Sequence, residues 1–170
     1  MRAMLQYMEL PGPWTHARSA RRLHLVEFLG DGMESAATGG GQQSMFRAMK
    51  AEADGLPKVG RSGRELGVRV EGATRDLPVG QDHMIEPRTG GMSVALDAPR
   101  NLPKPRLPRS LGGEGRDPVF GMLAAEVPRS LIVRTDRYPH ALVEPGRRCS
   151  LRDFESELAS TRSFWSEIHD

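Results

Sequence analysis

The sequence predicts an α+β fold in which short strands, joined by long loops, build an antiparallel or mixed sheet with few helices. Three observations carry this reading. Nineteen glycines and thirteen prolines in 170 residues are too many breakers for a helical bundle. The apolar runs are short, and some alternate with period two. Only the last stretch combines a helical spacing of apolar residues with a start signal. The length suffices for one domain with a real core, although 38% hydrophobic and 5% aromatic residues make it lean.

In chain order, residues 1–43 read as a weakly structured N-terminal extension. "LPGPWTHARSA" is rich in breakers, "RRLHLVEFLG" fits a short amphipathic helix stopped by Gly30, and "ATGGGQQS" fits a flexible linker. A domain covering 44–170 follows. "MFRAMKA" is the predicted first strand, and a second short strand is expected over Leu66–Val70. A further strand is expected near Met84 and Ile85. "GMSVAL" reads as a strand or a strand-to-helix turn. The segment 98–118, "APRNLPKPRLPRSLGGEGRDP", is too long for a simple connection, so it is either functional or disordered. After "VFGMLAAEV" come the two final strands, "SLIVRTDR" and "HALVEP"; Leu131 and Val133 against Ile132 and Arg134 show the period of two. Ser150 and Asp153 then resemble a capping box. Leu151, Phe154, Leu158 and Trp165 follow at helical spacing and mark a core-packing helix.

Composition narrows the function classes. The 24 basic and 22 acidic residues are interspersed and leave a net charge of +2. Only "SARRLH" and "PKPRLPRS" cluster positive charge, a weak footprint for a nucleic-acid binder. No run approaches the roughly 20 apolar residues that a membrane helix needs. No signal-peptide pattern opens the chain, so a cytoplasmic protein is expected. The single cysteine, Cys149, can form no internal disulfide. No two of the five histidines have the i, i+4 spacing of a helical zinc site, and there is no CxxC, so no metal site is expected. The Gly-rich "GGEGRD" and "ATGGGQQS" lack the context of a phosphate-binding loop.

Four places carry chemistry. Arg47 lies inside an apolar strand, where a guanidinium needs a carboxylate such as Glu144 or an anionic ligand. Gly90 and Gly91 precede a strand presenting one hydroxyl, Ser93, in "TGGMSV". These glycines suggest a turn or a backbone that a ligand approaches closely. His140 and Glu144 lie four apart on a predicted strand, so they share a face.

These pieces resemble one family. "MFRAM" (45–49), "RDLPVGQDHMIEPRTGGMSV" (75–94) and "SLIVRTDRYPHALVEPGR" (130–147) look like segments of the Tse-two-like ADP-ribosyltransferase toxins. Those are small bacterial effectors associated with type VI secretion and interbacterial competition. The resemblance covers about residues 45–165, and its middle motif is the most specific. It implies an ADP-ribosyltransferase-like split β-sandwich that grips NAD, as substrate, in a cleft between two small sheets. Arg47 would contact the pyrophosphate or the nicotinamide ribose. Ser93 would orient that ribose or the catalytic carboxylate, and Glu144 would hold the ribose 2′-hydroxyl. Gly90 and Gly91 would make room for the nicotinamide ring, with His140 in the same cleft. The resemblance also implies an immunity protein as partner. Leu142 stands two before Glu144, so the E-x-E pattern of arginine-directed transferases is absent and the acceptor stays open. The competing reading is a non-enzymatic α+β interaction module with a degenerate NAD cleft. A weak nucleic-acid binder is the third.

Overall fold

The computed structural model describes residues 43–169. The expectations for the N-terminal extension, with His16 and His24, lie outside them. The described chain is mostly sheet with one short helix. Six strands form an antiparallel sheet in the order β5-β6-β3-β1-β4-β8. They are β1 (Ser44–Ala48), β3 (Met92–Leu96), β4 (Val119–Leu123), β5 (Leu131–Arg137), β6 (His140–Pro145) and β8 (Ser166–Glu167). A separate two-stranded sheet pairs β2 (Met84–Ile85) with β7 (Cys149–Ser150). The helix α1 covers Leu151–Ser160.

Strand β1 shows why an apolar run can form here. Met45 and Met49 face the larger core with Val94, Leu96, Phe120, Val143 and Phe154. Phe46 and Ala48 face the other way, against Ala95, Leu102, Leu107 and Val119. A strand buried on both faces reads as continuously hydrophobic, and Arg47 is its one exception. Gly121 of β4 lies opposite Phe46; a Cβ there would come within 2.9 Å of the Phe46 ring, so the glycine lets that ring lie across the strand.

The sheet parts in its middle. All five residues of β1 pair with β4, but only Met45 and Phe46 pair with β3, through Leu96 and Ala95. Beyond that point Arg47 and Ala48 keep partners in β4, while Met92, Ser93 and Val94 keep partners in β6. The two halves of the sheet, β5-β6-β3 and β1-β4-β8, thus diverge at Arg47 and Ser93.

Three expectations change. Leu66–Val70 is not a strand: Leu66 makes one isolated bridge to Val59, although Leu66 and Val68 are buried. Within that stretch the Gly67 carbonyl accepts from Arg47, and the Leu66 and Arg69 carbonyls accept from the N–H groups of Gly60 and Asp76. The C-terminal helix stops at Ser160, and Trp165 follows a 3₁₀ turn over Thr161–Phe164. There Thr161 Oγ1 donates to the Leu158 carbonyl at 2.7 Å and accepts from Trp165 Nε1 at 3.0 Å, so the indole reaches the core from outside the helix. The start of α1 agrees with its sequence signal, because the Ser150 hydroxyl accepts from the Asp153 N–H at 3.1 Å. Finally, the segment 98–118 is ordered as a cover for the second core. It forms 3₁₀ turns at Pro99–Asn101 and Arg109–Leu111 and buries Leu102 and Leu107. No helix of the described residues is long and apolar enough to cross a membrane.

Candidate functional site

Where β1 and β3 part, the structure holds a cavity of about 280 Å³. Its wall combines Arg47 and Ser93 at the parting strands, His140 at the start of β6, Arg69 and Asp76 from the loops before β2, and Arg106 from the 98–118 segment. A larger and more open hollow of about 500 Å³ lies along β8, near Asp117 and His169. We place the functional site in the smaller one, because charged side chains converge there on a buried position.

Arg47 is that position, only 6% exposed. Its Nη1 donates to the Ser93 carbonyl at 2.6 Å, across the parted strands. Its Nη2 donates to the carbonyls of Gly63, Glu65 and Gly67 at 3.2–3.3 Å. Its Nε has no hydrogen-bond partner among the described residues. Burial pulls the Arg47 pKa down to about 10, with Asp76 opposing that shift and Arg106 and Arg69 adding to it. The side chain therefore stays charged at neutral pH although its surroundings disfavour the charge, a mark of functional positions. Among the described residues no carboxylate bonds it, and each acceptor is a neutral carbonyl.

Around Arg47 the acidic groups are already engaged. Arg69 grips Asp76 through Nε and Nη2 at 3.1 and 2.7 Å, and the Arg69 backbone N–H donates to the same carboxylate. Arg64 grips Asp117 at 2.6 and 2.5 Å. Burial pushes the Asp76 carboxyl upward, but hydrogen bonds from Arg69 outweigh it and leave the pKa lowered. The hydrogen bond from Arg64 likewise holds Asp117 low against its burial. Both carboxylates bind protons more weakly in the folded than in the unfolded chain. The stability they contribute is therefore fully present above the ordinary Asp value of 3.8 and is lost as pH falls through their folded values. The thermal midpoint is expected to be level from about pH 8 to about pH 5 and to fall steadily below about pH 4. A midpoint unchanged down to about pH 2 would show that these pairs contribute nothing.

Of the residues singled out in the sequence, Arg47, Ser93 and His140 share this cavity. His140 Nδ1 lies 2.6 Å from the Asp136 carboxylate, at its half-exposed rim. Glu144 is not in the cavity wall. It is wholly buried, and Arg134 of β5 binds both of its oxygens at 2.8 and 2.9 Å. The expected pairing of Arg47 with Glu144 is thus replaced by Arg134 with Glu144. The cross-strand register explains it, since Arg134 lies opposite Leu142, one diagonal step from Glu144.

Gly90 and Gly91 are also away from the cavity, and the space beside them is filled by the chain itself. A Cβ on Gly90 would run into the Asp76 carbonyl. One on Gly91 would run into the Val143 carbonyl and come within 3.0 Å of Glu144 Cβ. These glycines serve close packing of backbone on backbone, not an opening for a ring.

Arg69, Asp76, Arg106 and Arg134 were not singled out in the sequence. For Arg134 a signal existed: "LIVRTDR" places an arginine in an apolar strand, as "MFRAM" does. Arg106 belongs to the basic cluster "PKPRLPRS", but nothing in that pattern sets it apart from Lys104 or Arg109. Among the described residues no group of three or more His, Cys, Asp or Glu could hold a metal ion. No protein-family model matches the chain, and no curated protein matches it significantly.

Proposed function

We propose that the domain is an ADP-ribosyltransferase-type bacterial toxin, which cleaves the nicotinamide–ribose bond of NAD and passes ADP-ribose to an acceptor. One observation carries the reading. A buried, charged arginine stands where β1 and β3 part, and lines a cavity together with Ser93 from the opposite half of the sheet. The family resemblance implies a split β-sandwich with Arg47 and Ser93 in an NAD cleft between two small sheets; here the two residues flank a gap within one six-stranded sheet. The volume is just below the roughly 300–1,000 Å³ usual for ligand pockets, so it suits part of a dinucleotide, with the remainder outside.

On this reading, Arg47 offers a fixed positive charge to phosphate oxygens, and Ser93 orients the ribose from the facing strand. Glu144 is the carboxylate that would stabilise the oxocarbenium-like charge developing on the sugar. For that, it must leave its pairing with Arg134 or act with Arg134 still attached. An immunity protein held by the producing cell fits a toxin of this kind, as does action in the cytoplasm of a target cell.

A second reading has its own observation. Glu144 is fully buried and bound by Arg134 through both oxygens, as expected of a structural ion pair in an interaction module with a degenerate cleft. Expression of the full chain in bacteria under a tight inducible promoter separates the two, with intracellular NAD assayed beside a Glu144→Gln variant. Glutamine keeps the shape and one acceptor oxygen. Growth arrest and NAD loss with the parent, both absent in the variant, are the expected result. Healthy growth and unchanged NAD in cells that contain the soluble parent would overturn the enzymatic reading.

A further inference from the structure

The geometry points to Arg106 as a second anion-binding residue, which together with Arg47 fits the cavity to a doubly charged phosphoanhydride. The inference rests on the NAD reading for the remainder of the ligand, but its charge argument is separate. Arg106 lies on the 98–118 segment, far from Arg47 in sequence, yet both donate to one oxygen. Arg106 Nη1 reaches the Gly63 carbonyl at 2.9 Å, and Arg47 Nη2 reaches it at 3.3 Å. A Cβ on Gly63 would lie 2.9 Å from Arg106 Nη2 and 3.5 Å from Arg69 Nε, so three guanidinium groups crowd this glycine.

The charges around that point do not cancel. Three arginines line the cavity: Arg47, Arg69 and Arg106. Asp76 and Asp117, the carboxylates whose charge is felt by Arg47 or Arg106, are taken by Arg69 and Arg64. Arg47 and Arg106 have no carboxylate partner among the described residues. Two cations sharing one carbonyl repel each other. Such a pair is stable when an anion sits between them and accepts their remaining N–H groups. Arg106 uses one of its five N–H donors on Gly63, and its side chain lines the cavity. A phosphoanhydride linking two esterified phosphates carries two negative charges on neighbouring groups, which matches two adjacent guanidiniums in charge.

This distinguishes Arg106 from the other basic residues of its segment. Arg109 is exposed and is not part of the cavity wall. The test is calorimetric titration of the full chain at low salt with inorganic pyrophosphate and, separately, with NAD. Arg106→Gln is the chosen variant, because it removes the charge and keeps a polar, unbranched side chain. Arg109→Ala controls for the loss of one positive charge anywhere on the segment, and a thermal midpoint for each variant verifies folding.

Arg106→Gln is expected to weaken pyrophosphate binding by about tenfold or more, and Arg109→Ala by less than about twofold. Equal losses in both variants would reduce the effect to bulk charge and overturn the inference. So would a folded wild type that binds no pyrophosphate. The two readings also fail separately. Arg106-dependent pyrophosphate binding without NAD binding would keep the inference and remove the NAD reading. NAD binding that Arg106→Gln leaves unchanged would do the reverse.

Discussion

Arg134→Ala is expected to destabilise the domain by about 3–5 kcal/mol, since it leaves a buried carboxylate without its partner. Glu144 is 0% exposed, and its only hydrogen-bond donors among the described residues are the two guanidinium nitrogens of Arg134. In a domain of this size the loss corresponds to a drop in thermal midpoint of roughly 10 °C or more. The Arg134 side chain is itself 31% exposed, so its own desolvation cost is small; the penalty comes from the carboxylate left behind. The double variant Arg134→Met with Glu144→Leu should recover most of the stability, because it removes both charges and keeps the volume. If Arg134→Ala costs less than about 1 kcal/mol, Glu144 has another route to solvent or to a partner, and the ion pair is only incidental to the fold.

That pair also bears on function. A carboxylate clamped at both oxygens offers no free lone-pair geometry equal to that of an open one. A role for Glu144 on a ribose hydroxyl is therefore easier if the Arg134 side chain swings out. Arg134 lies on β5, at one edge of the six-stranded sheet, with neighbours on one side only. An edge residue can move at a smaller packing cost than one in β3 or β1.

Arg47→Leu is the second large effect. The substitution removes a buried charge, which returns energy on the order of 3 kcal/mol, judged from the fall of its pKa to about 10. It also removes four hydrogen-bonding contacts to backbone carbonyls, on Ser93, Gly63, Glu65 and Gly67. Nη2 has only two N–H groups for its three acceptors, so the four contacts amount to about three bonds; at roughly 1.5–3 kcal/mol each their loss still outweighs the relief. A net destabilisation of about 3 kcal/mol or more is expected. It should be concentrated in residues 58–70, whose carbonyls Arg47 gathers. Amide hydrogen exchange would locate it: the Leu66 and Asp76 N–H groups, bonded to the carbonyls of Lys58 and Arg69, should lose protection before the strands do. Arg47→Lys should not rescue it, since one ammonium cannot span carbonyls on both sides of the parted strands. A stable Arg47→Leu with unchanged exchange in 58–70 would mean that the loop is held by Leu66 and Val68 alone.

Much of the secondary structure was legible because its causes are local. Ser150 three residues before Asp153 caps α1 through a bond within one turn. "SLIVRTDR" and "HALVEP" alternate, and they pair as β5 and β6 across a tight connection. The apolar "MFRAM" forms β1 with an arginine whose presence there demanded an explanation. Where two residues suffice, as in β7 and β8, no periodicity can develop, and such strands exist only because a neighbour offers a ladder.

The site was legible only as a set of residue types. That Arg47 would be buried followed from its neighbours, but its acceptors lie 16 to 46 positions away, three in the loop over residues 63–67 and one, Ser93, in β3. Gly90 and Gly91 announced a close approach; which atoms approach, the carbonyls of Asp76 and Val143, depends on how β3 lies against β6 and the preceding loop. Arg134 took the carboxylate provisionally matched to Arg47 because cross-strand register set it one diagonal step from Glu144. Arg106 reached the cavity because the 98–118 segment folds back over the second core through Leu102 and Leu107. The chain by itself thus determined the longer strands and the start of α1, since those depend on residues within a few positions. The tertiary structure alone decided which charge meets which, because a charge buried far from water is governed by its nearest partner in space.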